Sequence, residues 1–78
     1  MWTVYILRCA DQSTYTRCTS NLDERLNRHS KGQVHYTSSR LPVEVITTIF
    51  FQDKYKAYEF EKYLKSGSGR DFAKRLFL

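Results

Sequence analysis

Hydrophobic and β-branched residues run unbroken from Trp2 to Leu7, and polar residues follow, so this stretch reads as a strand. On it Trp2, Val4 and Ile6 share one face, and Thr3, Tyr5 and Leu7 the other. The turn-forming residues Ala10-Asp11-Gln12-Ser13 come next, and Thr14 to Thr19 reads as a second strand that completes a hairpin. The period then becomes helical. Asn21 is a good N-cap, with Glu24 three residues later where a capping box places it. Leu22 and Leu26, one turn apart, form the apolar contact of this helix, and Gly32 suits its C-terminal cap. A polar segment from Gln33 to Arg40 leads to Pro42.

Val43 to Phe51 carries the strongest strand signal in the chain. Its apolar residues fall on both faces, which predicts a central strand covered on each side. Asp53 is placed to cap a helix over 54–65 with Ala57, Phe60 and Leu64 as its buried stripe. Phe50, Phe51 and Phe60 are expected in the core. Ser66-Gly67-Ser68-Gly69 breaks that helix, and Ser68, with Asp71 three residues on, is expected to cap a short final one ending in Leu76-Phe77-Leu78. The order β-β-α-β-α-α predicts an α+β domain, a three-stranded, mostly antiparallel sheet flanked by helices.

Seventy-eight residues make one domain, and 41% hydrophobic with 15% aromatic residues supply a core that a disordered chain lacks. No apolar run approaches the ~20 residues that span a bilayer. The N-terminus has no basic stretch ahead of its apolar one, so no signal peptide is expected and the location expected is cytoplasmic. Cys9 and Cys18 are too few for a disulfide scaffold or a structural zinc site, and are expected reduced and packed as small apolar residues. Thirteen basic against eight acidic side chains give a net charge of +5. The excess gathers in two stretches, with seven Lys or Arg against three Asp or Glu from Lys54 onward, and five against two from Arg17 to Arg40. Such a surface attracts polyanions, which makes nucleic acid the leading partner class; no membrane and no obligate protein partner is indicated.

The residues also match a family. Thr3-Val4-Tyr5 and Tyr15-Thr16-Arg17 resemble the two short strand motifs of GIY-YIG nucleases. Asn21-Leu22-Asp23-Glu24-Arg25-Leu26 resembles the start of the family's first helix, with Arg25 at its arginine position and His29 where many members carry His or Tyr. Tyr36-Thr37, Arg40 and Leu41-Pro42 resemble the loop before the third strand in small single-domain members. Ala57 to Lys65 and then Ser66-Gly67-Ser68-Gly69-Arg70 resemble their C-terminal segment, which puts the family's glutamate at Glu61. The resemblance covers nearly the whole chain, and its specificity lies in the order and spacing of the motifs. Two departures stand out. Thr3 replaces the first motif's glycine, and Arg17 replaces that of the second.

The resemblance implies a metal-dependent endonuclease that hydrolyses phosphodiester bonds of DNA, with RNA also open as substrate. Glu61 would hold one divalent ion, Mg²⁺ or Mn²⁺, keeping several waters on it. Arg25 would grip the scissile phosphate with its planar fork. Tyr5, Tyr15 and His29 would manage the water and its protons; a free tyrosine has a pKa of about 10, so a base role needs help from Arg25 or the metal. Arg17, Arg28, Arg40, Lys62, Lys65 and Arg70 would meet nucleic-acid phosphates. With nothing outside the nuclease core to read bases, preference for DNA structure over sequence is expected. Arg17 shares a strand face with Tyr15, which leaves three outcomes open: an obstructed site, an added phosphate clamp, or an arginine turned to solvent. Obstruction would make the chain a catalytically impaired nucleic-acid-binding module of the same fold. A protein-interaction domain with incidental basic charge is the third alternative.

Overall fold

Strand β1 (Trp2–Arg8) is the middle strand of an antiparallel sheet in the order β2-β1-β3, with β2 spanning Thr14–Thr19 and β3 Glu44–Phe51. The computed structural model describes all 78 residues. Helix α1 covers Leu22–Ser30, a single turn α2 His35–Ser38, α3 Lys54–Leu64 and α4 Gly67–Leu76. The architecture is α+β, as the pattern predicts, with one short helix added in the polar segment before Pro42.

The centre of the sheet is β1 rather than β3. Thr3 to Leu7 are all buried, whereas β3 is half-exposed along its length. The alternation read for β1 holds. Val4 and Ile6 pack with Cys18, Ala57, Leu64 and Ala73 under α3 and α4. Tyr5 and Leu7 pack with Tyr15, Leu22, Leu26 and Val34 under α1 and α2. Strand β3 looks two-faced in sequence because a bulge at Ile6/Leu7 shifts its register, so its apolar residues change faces partway along. Phe50 pairs with Thr3, on the face where no helix reaches it, and is 60% exposed. Phe51 and Phe60 do join the core, with ring centroids 5.5 Å apart.

Capping fixes where the helices begin and end. The Asn21 side chain accepts from the Glu24 amide at 3.1 Å. The reciprocal half of a capping box is absent, because the Asn21 amide donates to the Thr19 hydroxyl instead. Gly32, at φ 72°, closes α1 in a Schellman motif: its amide donates to His29 and that of Gln33 to Arg28. Asp53 caps α3 through the Tyr55 amide. The cap of α4 is Ser66, accepting from the Gly69 amide, and not Ser68, which lies in the helix's first turn. The earlier start is possible because Gly69 lets α4 pass against α3. A Cβ there would stand 1.7 Å from the Tyr63 carbonyl oxygen, so no other residue fits. Both cysteines are free and buried. No helix is long and apolar enough to cross a membrane.

Candidate active site

The site grows from the hairpin. In the β1–β2 register Tyr5 faces Arg17 and Leu7 faces Tyr15, so the tyrosines stand diagonally on one face, ring centroids 6.2 Å apart. Helix α1 packs over that face and lowers His29 between them, 5.8 Å from the Tyr5 ring and 5.0 Å from the Tyr15 ring. His29 is fully buried, with both nitrogens engaged: Nε2 lies 3.1 Å from the Tyr5 hydroxyl, and Nδ1 2.7 Å from the Thr37 hydroxyl. The Thr37 hydroxyl itself donates to the Val34 carbonyl. Its proton is thus committed, so Nδ1–H donates to Thr37 and Nε2 accepts the Tyr5 proton. Burial, and then Arg25 and Arg28, push the His29 pKa below 6.5, which keeps it neutral as this network requires.

Burial next to Tyr15 raises the Tyr5 pKa to about 12, even with the opposing pull of Arg25 and Arg17. Tyr5 is fully enclosed, whereas Tyr15 lines an open groove. Of the two tyrosines only Tyr15, itself 8% exposed, offers any surface to that groove. The Arg25 guanidinium lies beside the Tyr5 hydroxyl, and its Nε is buried without any acceptor. A buried unmet donor on a cation is costly and marks a place where an anion would be welcome.

Glu61 comes from α3, on the far layer, yet it connects to Tyr15 through Arg17. It does so because β2 is an edge strand, and the two helix layers meet around it. Arg17 makes the join. Its Nε donates to the Tyr15 hydroxyl at 3.2 Å, and its Nη1 lies 3.8 Å from Glu61 Oε2. Lys65, one turn along α3, holds the same oxygen at 2.8 Å. Glu61 is also close enough to Cys18 to add to the effect of burial in pushing that thiol up. The Tyr15 hydrogen bond is the main reason Arg17 is held firmly in its charged form.

Tyr5, Tyr15, Arg25, His29 and Glu61 thus lie in one chain of contacts, closed by Arg17. The remaining basic residues divide. Arg17, Lys65 and Arg70 line the groove beside Tyr15. Arg28 pairs with Glu24 on the outer face of α1. Arg40 is bound by Asp11 at 3.0 Å, donates to the Tyr36 carbonyl and stacks 4.1 Å over the Tyr36 ring. Lys62 is exposed on α3, away from the groove lining. Three further neighbours carried no sequence signal as site residues. Thr37 and Tyr36 belong to the short α2 hidden in the polar segment, and Lys74 is an ordinary helical lysine until α4 folds beside β2.

A hairpin bearing two tyrosines, an arginine and a histidine on the next helix, and a glutamate beyond the third strand define a small nuclease-type domain. The family model for the GIY-YIG catalytic domain matches residues 1–75, and the chain belongs to that family. A UPF0213 protein of Clostridium perfringens is 43% identical over 63 residues, which are 80% of this chain and 68% of the other. One from Oceanobacillus iheyensis is 46% identical over 63 residues, covering 80% and 73%. The solution NMR structure of a UPF0213 protein from Bacillus halodurans superposes with a TM-score of 0.62 at 34% identity, over 97% of this chain and 85% of that one.

Proposed function

We propose that the chain is a metal-dependent DNA endonuclease, selective for DNA structure rather than sequence, acting in the cytoplasm. The observation that carries this reading is the contact chain from Tyr5 through His29, Tyr15 and Arg17 to Glu61, with an unmet Arg25 donor beside it.

The protein holds no group of three or more His, Cys, Asp or Glu side chains suited to a metal. Glu61 is a single carboxylate. That donor set fits Mg²⁺ or Mn²⁺, which keep several waters and take substrate phosphate oxygens as further ligands. When bound there, the ion supplies positive charge to the leaving oxygen. Arg25 binds the scissile phosphate and meets its own unsatisfied donor in doing so. Tyr15, the tyrosine that lines the groove, orients the attacking water. Tyr5 remains a neutral phenol and holds His29 in position rather than acting as the base. The buried His29–Thr37 pair ties α1 to α2, and the Tyr5–His29 pair ties the hairpin face to α1.

One observation favours a second reading. Arg17 occupies both Tyr15 and Glu61, the residues that would meet water and metal, so the chain also fits a nucleic-acid-binding module with impaired turnover. Incubation with branched, nicked and single-stranded DNA in Mg²⁺ and in Mn²⁺, beside Glu61→Gln, separates the two. Cleavage by the wild type and none by the variant, with DNA binding nearly equal, supports the nuclease. Binding without cleavage by either protein leaves the module.

A further inference from the structure

The two outer strands of the sheet differ in what they present to a neighbour. Strand β2 carries Arg17, whereas β3 carries no charge from Val45 to Phe51. No strand pairs with the outer side of β3, and its residues are half-exposed or exposed along its length. Such an edge turns a row of amides and carbonyls outward, and here no charged side chain between its ends opposes pairing.

The bulge at Ile6/Leu7 makes this edge complementary to itself. Leu7 pairs with Val45, Tyr5 with Thr48 and Thr3 with Phe50, so Val45, Thr48 and Phe50 share the Tyr5 face. In a regular strand Val45 and Phe50, an odd number of residues apart, would fall on opposite faces. Val45 is 44% exposed and Phe50 60%, towards opposite ends of the strand. An antiparallel second copy of β3, centred on Thr48, sets Val45 of each copy against Phe50 of the other and one Thr48 against the other. Branched–aromatic and Thr–Thr pairs are favoured neighbours across strands.

Charge matches in the same register. On the opposite face, Glu44 of one copy comes beside Phe51 of the other. Phe51 pairs with Trp2, and Lys54 Nζ lies 5.3 Å from the Trp2 ring centroid. Neither Glu44 nor Lys54 has an ion-pair partner within the chain, and Asp53 beside Lys54 is engaged as the α3 cap. Pairing therefore brings two exposed opposite charges together at each end of the contact.

We infer that β3 joins two copies of this chain into one continuous antiparallel sheet, in the order β2-β1-β3-β3-β1-β2. Each copy uses its only free β3 edge, so the contact closes at two. A strand from an unrelated protein would use the backbone edge but not the matching of Val45 with Phe50 and Glu44 with Lys54. Eight residues a side are well below the ~20–30 of a standard interface, so the dimer is weak, half-formed at roughly 100 µM. The two β2 strands then stand at the far edges, five strand spacings or about 24 Å apart, and the grooves beside Tyr15 stay open. The inference is independent of the nuclease reading.

The test is sedimentation velocity of the whole chain under reducing conditions at fixed salt, from about 10 µM to 1 mM, a range that brackets the expected midpoint. The wild type should pass from monomer to dimer with no larger species. Phe50→Lys, at an exposed position, should weaken association at least about tenfold by placing a charge on each paired edge. Glu44→Lys should also weaken it, and the charge swap Glu44→Lys with Lys54→Glu should restore it. A wild type that stays monomeric at the highest concentration overturns the inference. Association unchanged by Phe50→Lys overturns it as well, by assigning the contact to another surface, and a charge swap that fails to restore the dimer overturns the antiparallel pairing.

Discussion

Replacing Arg17 by glycine should raise cleavage, because the side chain holds the two groups that the proposed reaction needs free. The size of the effect follows from the contacts. The ion pair with Glu61 is long, at 3.8 Å, and Arg17 is about half exposed, which limits it to roughly 0.5 kcal/mol. The hydrogen bond to Tyr15 is charge-assisted and part-buried, worth about 1.5 kcal/mol at the lower end of its class. Displacing the arginine from both therefore costs about 2 kcal/mol, a factor of roughly thirty in rate if every turnover must do so. The same change lowers the positive charge by one, so DNA binding should weaken slightly, without the roughly one-unit loss of salt slope that removal of a direct phosphate contact would give. The assay measures cleavage rate and salt-dependent affinity of wild type and Arg17→Gly on one branched substrate with Mg²⁺. Faster cleavage with slightly weaker binding is the expected pair. Slower cleavage together with the shallower slope would refute the reasoning and make Arg17 a phosphate clamp.

Glu61→Gln should abolish metal-dependent cleavage and leave the DNA dissociation constant within about twofold, since binding is spread over many cations; a gel-based cleavage assay beside anisotropy checks both. Gly69→Ala should force α4 away from the Tyr63 carbonyl, costing at least the ~1–3 kcal/mol of an overpacked core. At about 4–8 °C per kcal/mol for a domain of this size, an unchanged melting temperature would contradict the packing described. Stability should also depend on His29. Its folded pKa lies below the unfolded value of 6.5, so its contribution is complete above pH 6.5 and declines as pH falls toward the folded value, where the unfolded chain takes up a proton the folded one resists. Urea midpoints from pH 8 to pH 5 should therefore fall more steeply for the wild type than for His29→Gln. The variant itself should be less stable at pH 8 by about 1–3 kcal/mol for each buried hydroxyl left unpaired.

What was legible in the sequence was whatever depends on neighbours along the chain. The alternation of Trp2 to Leu7 sorted that strand between two cores, Asn21 and Asp53 marked their helices, and Gly32 marked an end. The position of β3 was not legible, because a run of Val, Ile and Phe reports apolarity but neither the bulge that redistributes it between faces nor the missing helix cover that leaves Phe50 in solvent. Ser68 reads as the cap of α4 and Ser66 is the cap in the structure, because the acceptable helix start depends on the close passage of α3 and α4 at Gly69. Motif order brought Tyr5, Tyr15, Arg25, His29 and Glu61 to notice. It gave no sign that Tyr5 is sealed while Tyr15, though buried, keeps an edge on the groove, since access is a property of the packed helices. The direction taken by Arg17 depended on Glu61 arriving around the sheet edge from the opposite layer, a contact across 44 residues that no local pattern encodes.

Strand β2 is an outer strand, and an outer strand offers unpaired amides and carbonyls to any other chain that can align with them. Thr14 to Thr19 is uncharged apart from Arg17, with two threonines at its ends and tyrosine, threonine and cysteine between. A lone charge on such an edge opposes strand addition from a second molecule, because pairing would bring two guanidinium groups together or strip one of water. The arginine that joins Tyr15 to Glu61 is therefore also a guard on solubility. Its removal should make the protein faster and, at high concentration, more prone to associate through this edge, so that gain of turnover and loss of colloidal stability are tied to one side chain.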